Sequence, residues 1–417
     1  MSDISQNQQT CIVIGASHAG VNFAFALRRE GWQGRIIMYD ADPELPYHRP
    51  PLSKTSLTQD SAVSTIPLKS AESYEKEEIQ LVLGIKITSI DSEKKIIVIE
   101  DGSIQSYDKL VLATGARPII PPILGLETAN NVFPLRTATD VMGIRKALGD
   151  ATEKKIVVIG GGYIGLEIAA SLKKLGCSVT VLEREHRILA RVTMPEMSAF
   201  FTQLHVENGV EILTEKHITS VNRTTTKNVV VCADESQHTA DIVIVGVGIH
   251  VNTELAEQAG LTIENGIKVN AVAQTSNEHI FAIGDCTCHH NPRYDKYVRL
   301  ESVQNAVDQA KVAASAICGK EVVYDAIPWF WSDQYAVKLQ IVGLSDGYDT
   351  FILRKEKKEQ PCFSIWYFKG DTLLAVDAIN NAKAYVIGTK FIKTDQMINK
   401  TSLADSSIEF KPANLSI

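Results

Sequence analysis

One composite pattern of apolar and polar positions occurs twice along this chain. Cys11 to Ile14 form a short unbroken apolar run, the mark of a buried strand. Gly15 and Gly20 bracket a tight turn, Ala19 to Glu30 carry helical spacing, and Ile36 to Tyr39 form a second apolar run that ends at Asp40. The second copy runs from Ile156–Ile159 through Gly160, Gly162 and Gly165, a helix over Tyr163–Leu175, a strand over Val179–Leu182, and Glu183. Each copy therefore predicts strand, glycine turn, helix and strand, with an acid about 20 residues after the turn.

Other segments predict strands without that frame. Lys109 to Pro118 read as a strand ending in Thr114-Gly115-Ala116, and His279 to Cys286 as a strand ending in Gly284-Asp285. Near the C-terminus, Lys338–Leu344, Phe363–Phe368 and Thr372–Ile379 predict antiparallel strands, and Asn380–Ile392 a helix. The charged run Arg354–Gln360 predicts a solvated hairpin turn. The fold class is α/β: two Rossmann-like dinucleotide-binding domains and a C-terminal α+β domain.

Composition narrows the function classes. The chain has 417 residues, 45% hydrophobic and 22% charged, with a formal net charge of −7. That is room for two or three domains, and the charge argues against a nucleic-acid partner. No apolar run approaches the roughly 20 residues of a membrane span. The start, "MSDISQNQQT", reads as a short disordered lead without a secretion signal. Seven scattered cysteines form no Cys-x-x-Cys pair, so a reducing cytoplasm is expected and a metal site is not. Cys286 and Cys288 follow a candidate cofactor loop and stay open as redox residues, with packing the plainer role.

The repeated pattern has a chemical reason. The first glycine makes the turn, the second lets backbone approach a pyrophosphate, and the third packs helix on strand. Helix N-terminal amides then hold phosphates, and the acid accepts from ribose hydroxyls. Ser17 stands where the first copy should have its middle glycine. Two such sites point to two dinucleotides, FAD and a nicotinamide cofactor. Asp285 can accept from a ribityl hydroxyl or simply cap a turn. Glu167 is an anomaly: a carboxylate just inside a helix whose start should face phosphate.

"GASHAG", "ATGARP", "GGGYIGLE" and "FAIGD", with "YHRPPLSK" (Tyr47–Lys54), "VGVGIHVNTELAEQAGL" (Val245–Leu261), "RLESVQNAVDQAK" (Arg299–Lys311) and "PWFWSDQY" (Pro328–Tyr335), carry a resemblance over nearly the whole chain. It resembles the NADH-dependent ferredoxin reductases of bacterial oxygenase systems, the group of the putidaredoxin, biphenyl dioxygenase and rubredoxin reductases. They belong to the glutathione-reductase-like FAD flavoproteins. Ser17, and Val251 where relatives usually carry proline, depart from the pattern.

The resemblance implies that Lys54 lies beside flavin N5 and is held there by Glu167, which would account for the anomalous carboxylate. It makes these two the catalytic residues. It extends the cofactor-binding set to His18, Ala19, Arg49, Ala113, Thr114, Gly115, Arg136, Ile164, Arg191, Gly248, Val303 and Trp331, and it leaves Tyr163 either covering the nicotinamide or packing in the core. It implies an FAD domain over 1–117 and 245–324, a NAD domain over 118–244 and a third domain over 325–417. Electrons would pass from NADH to FAD and then singly to a small iron–sulfur partner, a [2Fe–2S] ferredoxin or a rubredoxin. Glu183 would favour NADH by repelling a 2′-phosphate. Arg293, Lys296 and Arg299, with Trp329 and Trp331, are candidates for the docking surface. A disulfide-reducing relative would need cysteines that are absent before Cys177, apart from Cys11. Monodehydroascorbate-reductase-like chemistry, or a redox-gated interaction module like apoptosis-inducing factor, stays open.

Overall fold

The computed structural model describes residues 9–59, 66–149 and 153–417, and the N-terminal lead lies outside them. The chain divides into two compact units, one of Met1–Tyr47, Pro67–Gly115 and Val251–Ile417, the other of His48–Ile66 and Ala116–His250.

In the first unit five parallel strands lie in the order Ile280–Ala282, Lys109–Leu112, Thr10–Ile14, Arg35–Asp40, Ile79–Leu83. The central strand is buried over Cys11–Ile14, as expected for a parallel sheet covered on both faces. Its helix, His18–Arg29, starts one residue before the predicted bound and buries Val21, Phe23, Ala24 and Leu27. The Val303–Ile317 helix packs beside it, joining a core through Ala306, Ala310, Ala313 and Ala314. Small side chains there let two helices approach closely.

The second unit repeats the plan. Its parallel strands run Glu211–Leu213, Ser178–Leu182, Lys155–Ile159, Ile242–Val245, Val132–Pro134, with the Tyr163–Lys174 helix after the central strand.

The chain's end, within the first unit, forms an antiparallel sheet in the order Trp329–Gln334, Val337–Gly343, Thr372–Ile379, Phe363–Lys369, Thr350–Lys355. The Ala382–Thr394 helix covers one face, burying Trp366, Phe368, Val376, Ile387 and Phe391 together. A Cβ on Gly388 would come 2.7 Å from Val376, so this helix sits close on its sheet. The opposite face carries Asp377, fully buried, which accepts from Tyr367 Oη at 2.5 Å.

One expectation needs correction here. The 354–360 run does join two antiparallel strands, but Arg354 is not solvated: it is 1% exposed. Its guanidinium donates to the carbonyls of Leu403, Asp405 and Ile408 at 3.0, 2.9 and 2.7 Å and to Glu356 at 2.8 Å. It also lies 4.5 Å from the Phe410 ring centre. A buried charge is tolerable only with partners of this kind.

Among the described residues no helix is long and apolar enough to cross a membrane.

Candidate active site

The two glycine turns are built alike. Gly15 and Gly160 have φ of +105° and +104°, where side chains are rarely tolerated. An added Cβ would strike Ala113 O at 2.2 Å in the first copy and Gly246 O at 2.4 Å in the second. On Gly20 and Gly165 it would lie 1.9 and 2.1 Å from the carbonyl oxygens of Gly15 and Gly160. The first and third glycines are thus required by the chain's own backbone. The middle position differs. A Cβ on Gly162 meets nothing within 4 Å, so the chain's own backbone does not demand glycine there.

Both acids clasp their own turn. Asp40 accepts from the amides of Ala16 at 2.5 Å and Asp42 at 2.9 Å. Glu183 accepts from Gly161 at 2.6 Å and Glu185 at 2.8 Å. Two carboxylate oxygens offer about four acceptor sites, so both acids keep capacity for ribose hydroxyls. The open space at Gly162, glycines forced at the turns, amides at two helix starts and half-buried acids beside them fit two dinucleotides.

Within the second unit, Glu167 is buried at 4% exposure one turn into the Tyr163–Lys174 helix. Lys54 Nζ and Ser53 Oγ both donate to Glu167 Oε2, each at 2.6 Å. One turn further on, Ser171 Oγ donates to Ser53 O at 2.6 Å. The short helical turns Pro50–Ser53 and Thr55–Thr58 present Lys54 between them. Pro50 and Pro51 preset the first of these turns. The lysine side chain keeps 22% exposure against 5% for the glutamate. Glu167 is therefore an anchor for a half-buried cation.

The comparisons with known proteins bear on the family. The family described as "Pyridine nucleotide-disulphide oxidoreductase" matches residues 9–310, and "Reductase C-terminal" matches 329–414.

The chain belongs to the pyridine nucleotide-disulphide oxidoreductase family.

Within that family it is 41% identical over 405 residues to putidaredoxin reductase of Pseudomonas putida, covering 96% of this chain and 95% of the relative. The crystal structure of a covalent putidaredoxin reductase–putidaredoxin complex matches with a TM-score of 0.91 at 40% identity, covering 96% of this chain and 97% of that one. A ferredoxin reductase for the CYP199A2 system of Rhodopseudomonas palustris matches at 0.92 and 36%, covering 98% and 100%. This is the resemblance that the motifs carried.

The remaining residues fall within one unit or the other. In the first, Ala113, Thr114 and Gly115 follow a sheet strand, and Thr114 and Asn252 exchange two hydrogen bonds of 2.8 Å. Asp285 lies in the turn Gly284–Cys286, Val303 opens the Val303–Ile317 helix, and Trp331 stacks near Trp329 at 5.5 Å between ring centres. His18 and Ala19 are buried at the first helix start. In the second, Arg49 Nη1 donates to Arg136 O at 2.6 Å. Arg191 lies 3.8 Å from where a Gly248 Cβ would stand. Tyr163 is half-buried at the first position of its helix, and Ile164 is 50% exposed beside it.

Two other expectations change. Cys286 and Cys288 are both buried, and burial raises both thiols, the opposite of a reactive cysteine's environment. Arg293, Lys296 and Arg299 are not a bare basic patch: they pair with Asp395, Asp346 and Glu301 at 2.7, 2.8 and 2.5 Å. Sequence reading also passed over Ser53 and Ser171. Ser53 stood in a quoted motif, but only tertiary contact assigns its hydroxyl to Glu167.

Proposed function

We propose that this protein is an FAD-dependent NADH:ferredoxin oxidoreductase supplying an oxygenase. The observation that carries the reading is the buried Lys54–Glu167 pair in a chain with two dinucleotide cradles. The near full-length likeness to putidaredoxin reductase supports it.

When bound, FAD accepts hydride from the nicotinamide and releases its electrons singly, chemistry that belongs to the cofactor. The chain's residues bind and orient. Gly15, Ser17 and Gly20 cradle the FAD pyrophosphate, Asp40 takes ribose hydroxyls, and Asp285 takes a ribityl hydroxyl. Gly160, Gly162 and Gly165 do the same for NADH, and Glu183 holds its ribose and disfavours a 2′-phosphate. Lys54 supplies a cation to the flavin, while Glu167 and Ser53 keep it oriented and compensate its charge. The FAD part is assigned to 1–117 and 245–324, the NADH part to 118–244, and the C-terminal domain to 325–417. The acceptor is a small iron–sulfur protein, a [2Fe–2S] ferredoxin or a rubredoxin. The cytoplasm is its proposed compartment, supported by seven free cysteines.

The test is cytochrome c reduction by NADH with and without a [2Fe–2S] ferredoxin encoded beside the reductase. Yellow protein that releases FAD on denaturation, and a rate that depends on the ferredoxin, are expected. A colourless protein that cannot be reconstituted with FAD, or a rate indifferent to iron–sulfur acceptors, would end the reading.

A further inference from the structure

The Val303–Ile317 helix packs through alanines, yet it buries Gln304, Asn305 and Gln309 at 5%, 0% and 1% exposure. Buried amides are costly unless they are bonded. Gln309 is bonded at both ends. Its Oε1 accepts from Gly284 N at 2.8 Å and lies 3.0 Å from Thr287 Oγ1. Its Nε2 lies 3.3 Å from His289 Nδ1. Burial pushes the His289 imidazole down to about 4, so it is neutral and its Nδ1 can accept from the amide. The Tyr324 ring edge packs on His289 at 4.9 Å, and its hydroxyl donates to Asn305 Oδ1 at 2.8 Å. Asn305 in turn donates to Leu300 O at 3.1 Å, just before the helix start.

Gly284 is the point of leverage. It has φ of +80°, and an added Cβ would lie 2.9 Å from Ala19 Cβ in the first glycine turn and 3.8 Å from Ala306. Asp285 follows it directly. The Gln309 amide therefore joins Thr287 Oγ1, which donates to Gly284 O at 2.8 Å, in holding the turn that presents Asp285, and that turn lies against the helix beginning at His18.

We infer that Gln309 is a positioning residue for the flavin: its oxygen sets the Gly284–Asp285 turn, and His289 selects which end of the amide faces that turn. This rests on the reading that the first unit takes FAD. Nothing in the glycine motifs or in the acid at position 40 requires a glutamine at position 309. An apolar side chain would suit the alanine-lined helix contact better.

The test uses apoprotein titrated with FAD, followed by flavin fluorescence and by the visible absorption of the saturated protein. Gln309→Asn keeps the amide but is one methylene too short for Gly284 N. It raises the FAD dissociation constant about tenfold, the effect of one buried amide left without its acceptor, and shifts the flavin band. Gln309→Glu keeps the acceptor and its reach, and the neutral His289 turns to its Nδ1–H tautomer to donate to the second carboxylate oxygen, so this variant loses less affinity than Gln309→Asn. His289→Phe keeps a ring against Tyr324 but removes the acceptor that orients the amide, and falls between the two. Gln309→Asn with parental affinity and spectrum overturns the inference. So does equal loss in the Asn and Glu variants, or loss of folded apoprotein in the Asn variant, since each makes the role purely structural. Failure of the parent to bind FAD would instead overturn the function proposed for the first unit.

Discussion

Lys54 places its ammonium 2.6 Å from one oxygen of Glu167, and the two residues are 113 positions apart in the chain. The same oxygen receives the Ser53 hydroxyl, so the carboxylate is held by two donors of the chain itself. A lysine fixed this way is preorganised, which is where electrostatic stabilisation of developing charge gains most. Lys54→Met should leave FAD bound and slow its bleaching by excess NADH roughly tenfold to a hundredfold. Glu167→Gln should have a related effect, and the double variant should fall well short of the product of the two. Stopped-flow absorbance measures all three, and a Lys54→Met protein that bleaches like the parent would make the pair merely structural.

Glu183→Ala should weaken NADH use and narrow its advantage over NADPH. Hydrogen bonds to a charged acceptor are worth about 1.5–3 kcal/mol, and here two of them are made by the chain itself, from Gly161 and Glu185. KM should therefore rise for both nucleotides, more for NADH. An unchanged ratio of the two kcat/KM values would place Glu183 outside cofactor selection.

Arg354→Met should destabilise the C-terminal sheet by about 3–5 kcal/mol, because three carbonyls and Glu356 lose a buried donor together. Arg354→Lys should rescue little, since a point charge cannot reproduce the planar fork. Thermal unfolding of the holoprotein is the readout. A melting temperature unchanged in Arg354→Met would show that the tail from Ser402 to Ile408 is held by other contacts.

Asp377 gives a pH signature. Burial lifts its carboxyl from 3.8 to about 7, opposed by the Tyr367 hydroxyl. Between those values the native state keeps a proton that the unfolded chain has released. Stability therefore falls as pH rises through this window and levels off above it. The ionised form carries a penalty on the order of 4 kcal/mol. Asp377→Asn should flatten that slope and be relatively more stable at about pH 8 than at about pH 5, measured by urea midpoints. Identical pH dependence in parent and variant would refute the linkage.

Both βαβ copies were legible in the sequence because their evidence is local: apolar runs, glycines and an acid within about 30 residues. The helix bounds moved by one residue at each end in the first copy, and at the C-terminal end alone in the second. Glu167 was visible as an anomaly, but its partner came only from family likeness, since no local rule connects position 54 to position 167. Arg354 was misread because its neighbours Lys355, Lys357 and Lys358 look like solvent, while the carbonyls of Leu403, Asp405 and Ile408 that it meets lie 49 to 54 residues away. The basic residues at 293, 296 and 299 looked like a patch for the same reason. Two of their three carboxylate partners, Asp346 and Asp395, are distant in sequence, and the third, Glu301, is two residues from Arg299.

The carboxylate at the end of each second strand does two jobs. Asp40 and Glu183 each tie down an amide of the turn that a pyrophosphate would approach. These tethers are made by the chain itself, so a nucleotide binding there would find part of the loop's ordering already supplied. The same economy restricts redesign. Exchanging Glu183 for a neutral residue to admit a phosphorylated ribose also unties Gly161, so cofactor preference and loop rigidity cannot be varied independently. A successful switch would have to supply the turn with a new acceptor at the same time as it removes the old charge.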